Sequence, residues 1–266
     1  MCKLVISAVL CVLSWHLKGA SANDPASSWL TYASFSVPAS SGVITRVSTA
    51  WTTPTMPAVP FGSNAPGWWF GVQTAGGNGA LIQPIMAYGY QGSKFSIFNG
   101  VFDWTDESWR TSPEVQTVKP GENIISELAM SPSDTRTYVM KIAKEGNEPI
   151  TTPFTLNKRQ TDPETVVYFV LEHQPITCKA YPTSEKLTFR NITVEVNGKV
   201  VTPTWEIRQE VPACNSRAEA VDAQTLEFTW STKWRGASDE NNYDVDTSAW
   251  PRKWWSAEQP GVTEEA

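Results

Sequence analysis

Short alternating or apolar runs, each closed by Pro, Gly or Asn, follow one another along most of this 266-residue chain. Residues 30–37 alternate before Pro38, residues 43–51 are rich in β-branched side chains and stop short of Pro54, and residues 68–72 sit between Gly67 and the turn Gly76-Gly77-Asn78-Gly79. The pattern continues through 80–90, 95–104, 123–130, 137–143, 150–156, 166–172, 187–196, 200–206 and 224–230. Runs of this length with this punctuation are strands, and only residues 217–222 read as a short helix. Lys119-Pro120-Gly121-Glu122 and Glu145-Gly146-Asn147 are turns, and Asn197-Gly198 is a type I′ hairpin signal. The strand count exceeds the needs of an immunoglobulin-sized domain. With no internal repeat and no Gly/Ser or Pro linker, the sequence predicts one all-β domain over 23–230, a sandwich of two antiparallel sheets.

The two ends differ from this body. Lys3, the apolar stretch 4–13 and the small residues Ala20-Ser21-Ala22 form a secretory signal over 1–22. The apolar part is too short to span a bilayer, so the mature chain is expected to begin at Asn23 and to be extracellular. Removing the signal takes Lys3 and Lys18 and leaves 19 basic against 27 acidic side chains, moving the net charge from −6 to −8. That balance argues against nucleic acid as a partner. No later run is long enough for a membrane span. Cys2 and Cys11 leave with the signal, and the remaining pair, Cys178 and Cys214, is expected to form a disulfide. Asn191-Ile192-Thr193 is an N-glycosylation sequon. The C-terminal segment 231–266 is polar, with four basic and seven acidic residues, yet carries Trp234, Trp250, Trp254 and Trp255. Polarity favours a mobile tail, and the tryptophans favour one packed over the sandwich.

Subtraction narrows the chemistry. A Ser-His-Asp or Cys-His mechanism needs an imidazole base, and the mature chain offers only His173, which neighbours Glu172 and so points to the opposite side of a strand. Zinc would need several His or Cys ligands, and no phosphate-binding Gly motif follows a strand, so neither metal nor cofactor is expected. Carboxylate chemistry or none remains. Gln83 and Glu172 are lone polar residues in apolar runs, where an amide or carboxylate costs a few kcal/mol unless hydrogen-bonded. Asp103, Asp106 and Glu107 form a second group, which suits glycoside hydrolysis or an ordinary polar turn.

Trp69-Phe70-Gly71-Val72-Gln73 followed by Ala80-Leu81-Ile82-Gln83 resembles the glutamic peptidases, or eqolisins, whose motif Trp-x-Gly-Ile/Leu-Asp precedes a catalytic Gln by ten residues. Val101-Phe102-Asp103-Trp104 is similar to the family's Tyr-Glu-Trp-Tyr stretch. Lys119-Pro120-Gly121-Glu122-Asn123-Ile124 is similar to its Gly-Asp turn, and Tyr168-Phe169-Val170-Leu171-Glu172 to its Glu-Phe/Trp-Ile-Ile/Val-Glu. The resemblance runs in order over about residues 29–199. It implies a concanavalin A-like sandwich, catalytic roles for Gln83 and Glu172, and a substrate cleft lined by Trp69, Gln73, Asp103 and Trp104. Glu172 would take a proton from water, and the Gln83 amide would stabilise the oxyanion. The chain departs from the family at Gln73, where the motif has Asp, at Tyr168, where it has Glu, and at Asp103, which is one methylene short. Pro84 suggests a bulge or strand edge.

Two functions of different class follow. One is an acid-acting endopeptidase on unfolded protein or peptides, in which Gln83 and Glu172 share one concave face and approach within roughly 3 to 6 Å. The other is a non-catalytic secreted protein, lectin-like or of the extracellular matrix, that binds sugar or peptide through Trp68, Trp69 and Trp104. A glycoside hydrolase using Asp103 or Glu107 with Glu172 is a third. Each is expected to act as a monomer.

Overall fold

The alternation along each run becomes sheet geometry in the computed structural model, which describes residues 29–59, 66–172, 178–210 and 213–233. The signal segment, His173 and the tail beyond Lys233 lie outside the described residues. The strands are β1 (Trp29–Ser36), β2 (Ile44–Thr52), β3 (Gly67–Thr74), β4 (Ala80–Gly89), β5 (Gly92–Asp103), β6 (Ser108–Thr111), β7 (Gln116–Val118) and β8 (Asn123–Ser131). They continue as β9 (Asp134–Lys144), β10 (Ile150–Thr155), β11 (Glu164–Glu172), β12 (Lys186–Val196), β13 (Lys199–Val201), β14 (Glu206–Gln209), β15 (Arg217–Asp222) and β16 (Thr225–Thr229). The first sheet runs β14-β1-β11-β3-β4-β5-β6 with β7 also on β5, and the second runs β10-β9-β8-β2-β12-β16-β15 with β13 on β12. All the strand pairings in both sheets are antiparallel.

One set of alternate residues fills the space between the sheets. Trp68, Phe70 and Val72 of β3, Ile82 and Met86 of β4, and Val167, Phe169 and Leu171 of β11 meet Val47, Trp51, Leu128, Met140, Phe189 and Phe228 from the second sheet. Polar groups in this space are tied across it, as burial demands. The Trp51 indole donates to the Met86 sulfur at 3.4 Å. The Asn99 amide donates to Ile150 O at 3.1 Å and Thr152 Oγ1 at 3.0 Å. The other alternate set of the first sheet forms a separate apolar cluster on its outer face, made of Trp29, Trp69, Leu81, Ile85, Ala87, Phe98 and Val170.

Three local expectations change. Residues 217–222 form the edge strand β15. Their Ala and Glu content suits a helix, but pairing with β16 overrides a weak intrinsic preference. Residues 200–206 are two strands in different sheets. β13 closes the Asn197-Gly198 hairpin, Pro203 follows without an N–H to continue the ladder, and β14 crosses to pair with β1. Pro84 lies inside the central strand β4, neither at an edge nor at a bulge. It pairs with Asn99 of β5, while the β3–β4 ladder skips from Trp69–Ile85 to Val72–Ile82, where Pro84 offers no donor. The hairpin itself follows the sequence, with Asn197 and Gly198 at φ of 51° and 74°.

Cys178 and Cys214 are joined, with Cα atoms 5.4 Å apart and 36 positions between them in sequence. The bridge fastens the segment after β11 to the segment that leads into β15. Closing a loop of this length restricts the unfolded chain by about 3–4 kcal/mol. A Cys178→Ala/Cys214→Ala variant is therefore expected to lose about 2–4 kcal/mol of stability in urea unfolding. An unchanged midpoint would show that the bridge is energetically idle.

Candidate functional site

The outer face of the first sheet is read most simply as rungs running across β11, β3, β4 and β5. The β3–β11 and β4–β5 ladders place Val166, Gln73, Leu81 and Phe102 on one rung, and Tyr168, Gly71, Gln83 and Gly100 on the next. Val170, Trp69, Ile85 and Phe98 follow, and then Glu172, Gly67, Ala87 and Ser96. Strand alternation puts all of these on the side of Trp69 and Phe98. Gln83, Glu172, Trp69 and Gln73 thus share one face.

They do not share one level. Gln83 looks across Gly71 at Tyr168. Glu172 lies two rungs, or four residues, farther along. Four residues of rise, about 13 Å, and two strand spacings, about 10 Å, separate the backbones of Gln83 and Glu172 by roughly 16 Å. That exceeds the expected approach through a single water. The Glu172 carboxylate is instead held by the Trp69 indole, whose Nε1 donates to Oε2 at 2.6 Å.

Two glycines isolate Gln83. A Cβ on Gly71 would lie 2.6 Å from Ile82 O and 3.3 Å from Gln83 Cβ, so β3 approaches β4 more closely than any larger residue permits. A Cβ on Gly100 would meet the Trp109 ring at 2.5 Å, because that indole lies over the glycine. Gln83 is 4% exposed, and its Oε1 accepts no hydrogen bond among the described residues. Gln73 is fully buried and neither of its amide atoms has a partner there. Leaving a buried amide unsatisfied costs about 1–3 kcal/mol per group, which is unusual twice on one face.

Aromatic rings build the rest of the floor. Trp29 meets Trp69 at 5.0 Å, Tyr168 at 5.0 Å and Tyr32 at 5.2 Å between centroids, all edge to face. Tyr90 stacks on Phe98 at 4.2 Å. Burial, and then the nearby Glu210 carboxylate, push the Tyr32 hydroxyl up to about 12, so it remains a proton donor at any ordinary pH.

Asp103 points the other way. It shares the inward parity of Asn99 and Val101, and it is fully buried. Its Oδ1 accepts from Thr105 N at 2.9 Å and Thr105 Oγ1 at 2.7 Å, and Arg110 lies 3.5 Å from Oδ2. Asp106 accepts from Ser108 and pairs with Arg110, and the Ser108 hydrogen bond holds its carboxyl below the usual range. Glu107 is exposed at a φ of 55°. Asp106 and Glu107 therefore belong to a polar turn, and Asp103 anchors it from within rather than facing Glu172. Trp104 is half-buried, edge-on to Phe102 at 4.3 Å, at the Gln73 end of the outer face.

Near Asp103 lies a group that sequence reasoning missed. Glu164 is fully buried and takes a 2.7 Å hydrogen bond from Gln160 Nε2, while Gln160 Oε1 accepts from Ala80 N at 2.9 Å. Burial pushes the Glu164 carboxyl up to about 8; the Gln160 hydrogen bond opposes this and the Asp103 charge adds to it. No sequence signal separates Glu164 from a surface glutamate at a strand start.

This sandwich has counterparts among solved structures. Scytalidoglutamic peptidase with a transition-state analogue superposes at a TM-score of 0.55 and 16% identity, over 77% of this chain and 98% of that one. SCP-B, an eqolisin peptidase bound to the tripeptide Ala-Ile-His, gives 0.53 and 13%, over 76% and 98%. The fold is that of the glutamic peptidases. At these identities the likeness speaks for the fold alone. No protein-family model and no curated protein matches the sequence.

Glu164 carries a pH prediction. Its folded pKa of about 8 lies above its ordinary 4.5, so the folded state holds the proton more tightly. The resulting stability is complete below about pH 4.5 and is lost as pH rises through about 8. Urea midpoints should fall over this window in the wild type, and Glu164→Gln should flatten that part of the profile. A variant whose profile keeps the full slope would assign the effect to other groups.

Proposed function

We propose that the glutamic-peptidase sandwich serves here as a secreted peptide-binding protein, with the outer face of the first sheet as its groove and without cleavage of what it binds. One observation carries this reading: the residue across Gly71 from Gln83 is Tyr168. Peptide hydrolysis at Gln83 needs a carboxylate that shares its water, and β11 presents the phenol of Tyr168 at that level instead. The amides of Gln73 and Gln83 instead match the donors and acceptors of a peptide backbone. A polypeptide suits this face better than a glycan does. The rings around Trp29 pack edge to face against one another, where a sugar calls for an open aromatic platform.

The competing reading is acid hydrolysis by Gln83 with Glu172, with Trp69, Gln73, Asp103 and Trp104 about the substrate. Glu172 on the same face favours it, and the four-residue offset opposes it. Secretion is supported by the Cys178–Cys214 bridge. No helix among the described residues is long and apolar enough to cross a membrane. Asn191 is exposed, as a glycosylated side chain must be.

The test is incubation of the mature protein with unfolded protein from pH 3 to 7, beside Glu172→Gln, together with peptide titration. The expected result is no cleavage by either protein and saturable binding of extended peptides. Gln83→Leu should weaken that binding about three- to tenfold, the worth of one hydrogen bond. Acid-pH cleavage by the wild type that vanishes in Glu172→Gln would replace binding with the dyad mechanism.

A further inference from the structure

The outer face of the second sheet, away from the groove of the first, has a trough of its own. Ala50 of β2, Ile125 of β8 and Ala143 of β9 lie on one rung of its floor, and Ser48 lies on the next. Alternation puts them on the side opposite the inward Trp51, Ile124 and Ile142. The cavity is about 400 Å³ and is walled by Glu127, Lys141, Asn147 and Asn191, a volume within the range of small-molecule sites.

Longer side chains leave this trough open because they are tied at its two ends. Arg190, across from Ala50, donates to Thr52 Oγ1 at 3.0 Å and to Asn123 Oδ1 at 2.8 Å. Arg46 donates to Glu127 at 2.7 Å and to Glu195 at 3.1 Å. Between them Ile125 is 42% exposed on a strand that is paired on both sides. A lone exposed isoleucine is ordinary. This one lies between two alanines on the floor of a polar-walled trough. β12 is bulged at the wall: Arg190 pairs with Ala50 and Thr193 with Ser48, so three steps on β12 match two on β2. Asn191 lies in that bulge at a φ of 54°, which asparagine tolerates better than most residues. Ile192 stays buried, its N–H donating to Gln224 O at 3.0 Å, while Asn191 is exposed.

We infer that the trough is the seat of an N-linked glycan carried by Asn191, whose first N-acetylglucosamine units lie across Ala50 and Ile125. Asn191-Ile192-Thr193 is the acceptor sequence. The Asn191 Nδ2 forms a bond to the anomeric carbon of an oligosaccharide carried on a lipid diphosphate. The sugar–phosphate C–O bond breaks, the lipid diphosphate leaves with its electron pair, and Nδ2 gives up one proton. One strand spacing from Asn191 reaches Ala50, and two reach Ile125 at about 10 Å, a span that the first two sugars cover. A pyranose has an apolar C–H face and a rim of hydroxyls. Ala50 and Ile125 suit the face, and Ser48, Glu127, Lys141 and Asn147 suit the rim. The covalent tether holds the sugar at about millimolar local concentration or above, so a shallow, open site suffices. This seat rests on the secretory route proposed above and is independent of the peptide groove.

The test uses the full chain made in secreting eukaryotic cells, beside a form in which residues 1–22 are replaced by another protein's signal. Peptide mass spectrometry reads the occupancy of Asn191, and peptide N-glycosidase is timed on the native proteins. Two variants probe the seat: Ala50→Lys fills the trough, and Ile125→Thr weakens its floor while keeping a β-branched side chain. Both forms of the wild type are expected to carry the glycan. Release from the native wild type should be about fivefold slower than from either variant, as one lost apolar contact implies, and equal after denaturation. A secreted chain with a bare Asn191 would overturn the inference. Equal release from the native wild type and both folded variants would overturn it too, since the glycan would then stand free in solvent. Occupancy only behind the replacement signal would refute the secretory reading and, with it, the modification of the natural chain. The release rates would still judge the trough as a seat for sugar.

Discussion

β11 lies on β3 with Tyr168 across from Gly71 and Glu172 across from Gly67, and the outer face of the first sheet takes its chemistry from that alignment. It seats a phenol opposite the Gln83 amide. It also carries Glu172, on the same side of the sheet as Trp69, to the end of the face, where the Trp69 indole holds it. Residues three strands wide are fixed by this one ladder, because β4 follows β3 through Trp69–Ile85 and Val72–Ile82. A shift of β11 by four residues would keep the inward and outward sets of that strand on their own sides while changing the partner at every rung, the one facing Gln83 included.

Close packing around Gln83 depends on the same ladders. Gly71 lets the β3 backbone approach Ile82 O, and Gly100 leaves room for the Trp109 ring. Pro84 withholds a donor at the point where the β3–β4 ladder is open. The result is one amide in an aromatic surround, with no side chain directly beside it on either neighbouring strand. Such a surround strengthens any hydrogen bond formed there and penalises its absence. That asymmetry makes the floor suited to holding a peptide group.

Much of this was legible in the sequence, for a definable reason. A strand's side chains alternate with a period of two, so the inward set of β3, β4 and β11 and the shared face of Trp69, Gln73, Gln83 and Glu172 could be read by parity. Parity is blind to a slip of two or four residues, so the level of Glu172 relative to Gln83 could not. The strength of the Tyr168-to-Glu172 run as a motif hid this, because position 168 looked like a peripheral departure and is the one facing Gln83. Asp103 could be assigned to the wrong face because its parity had no reference until Asn99 reached across to Ile150. Pairing also decided the fate of residues 217–222, whose composition alone suits a helix. Glu164 and Gln160 were invisible, since their burial arises where a loop folds over the end of the sheets.

The central claim is the register, and cross-strand proton contacts in an NMR spectrum of the mature protein measure it directly. Antiparallel neighbours bring facing backbone protons together, and each pair names its own partner. The account predicts contacts that pair Tyr168 with Gly71 and Glu172 with Gly67. Contacts pairing Glu172 with Gly71 would bring its carboxylate opposite Gln83 and contradict the account.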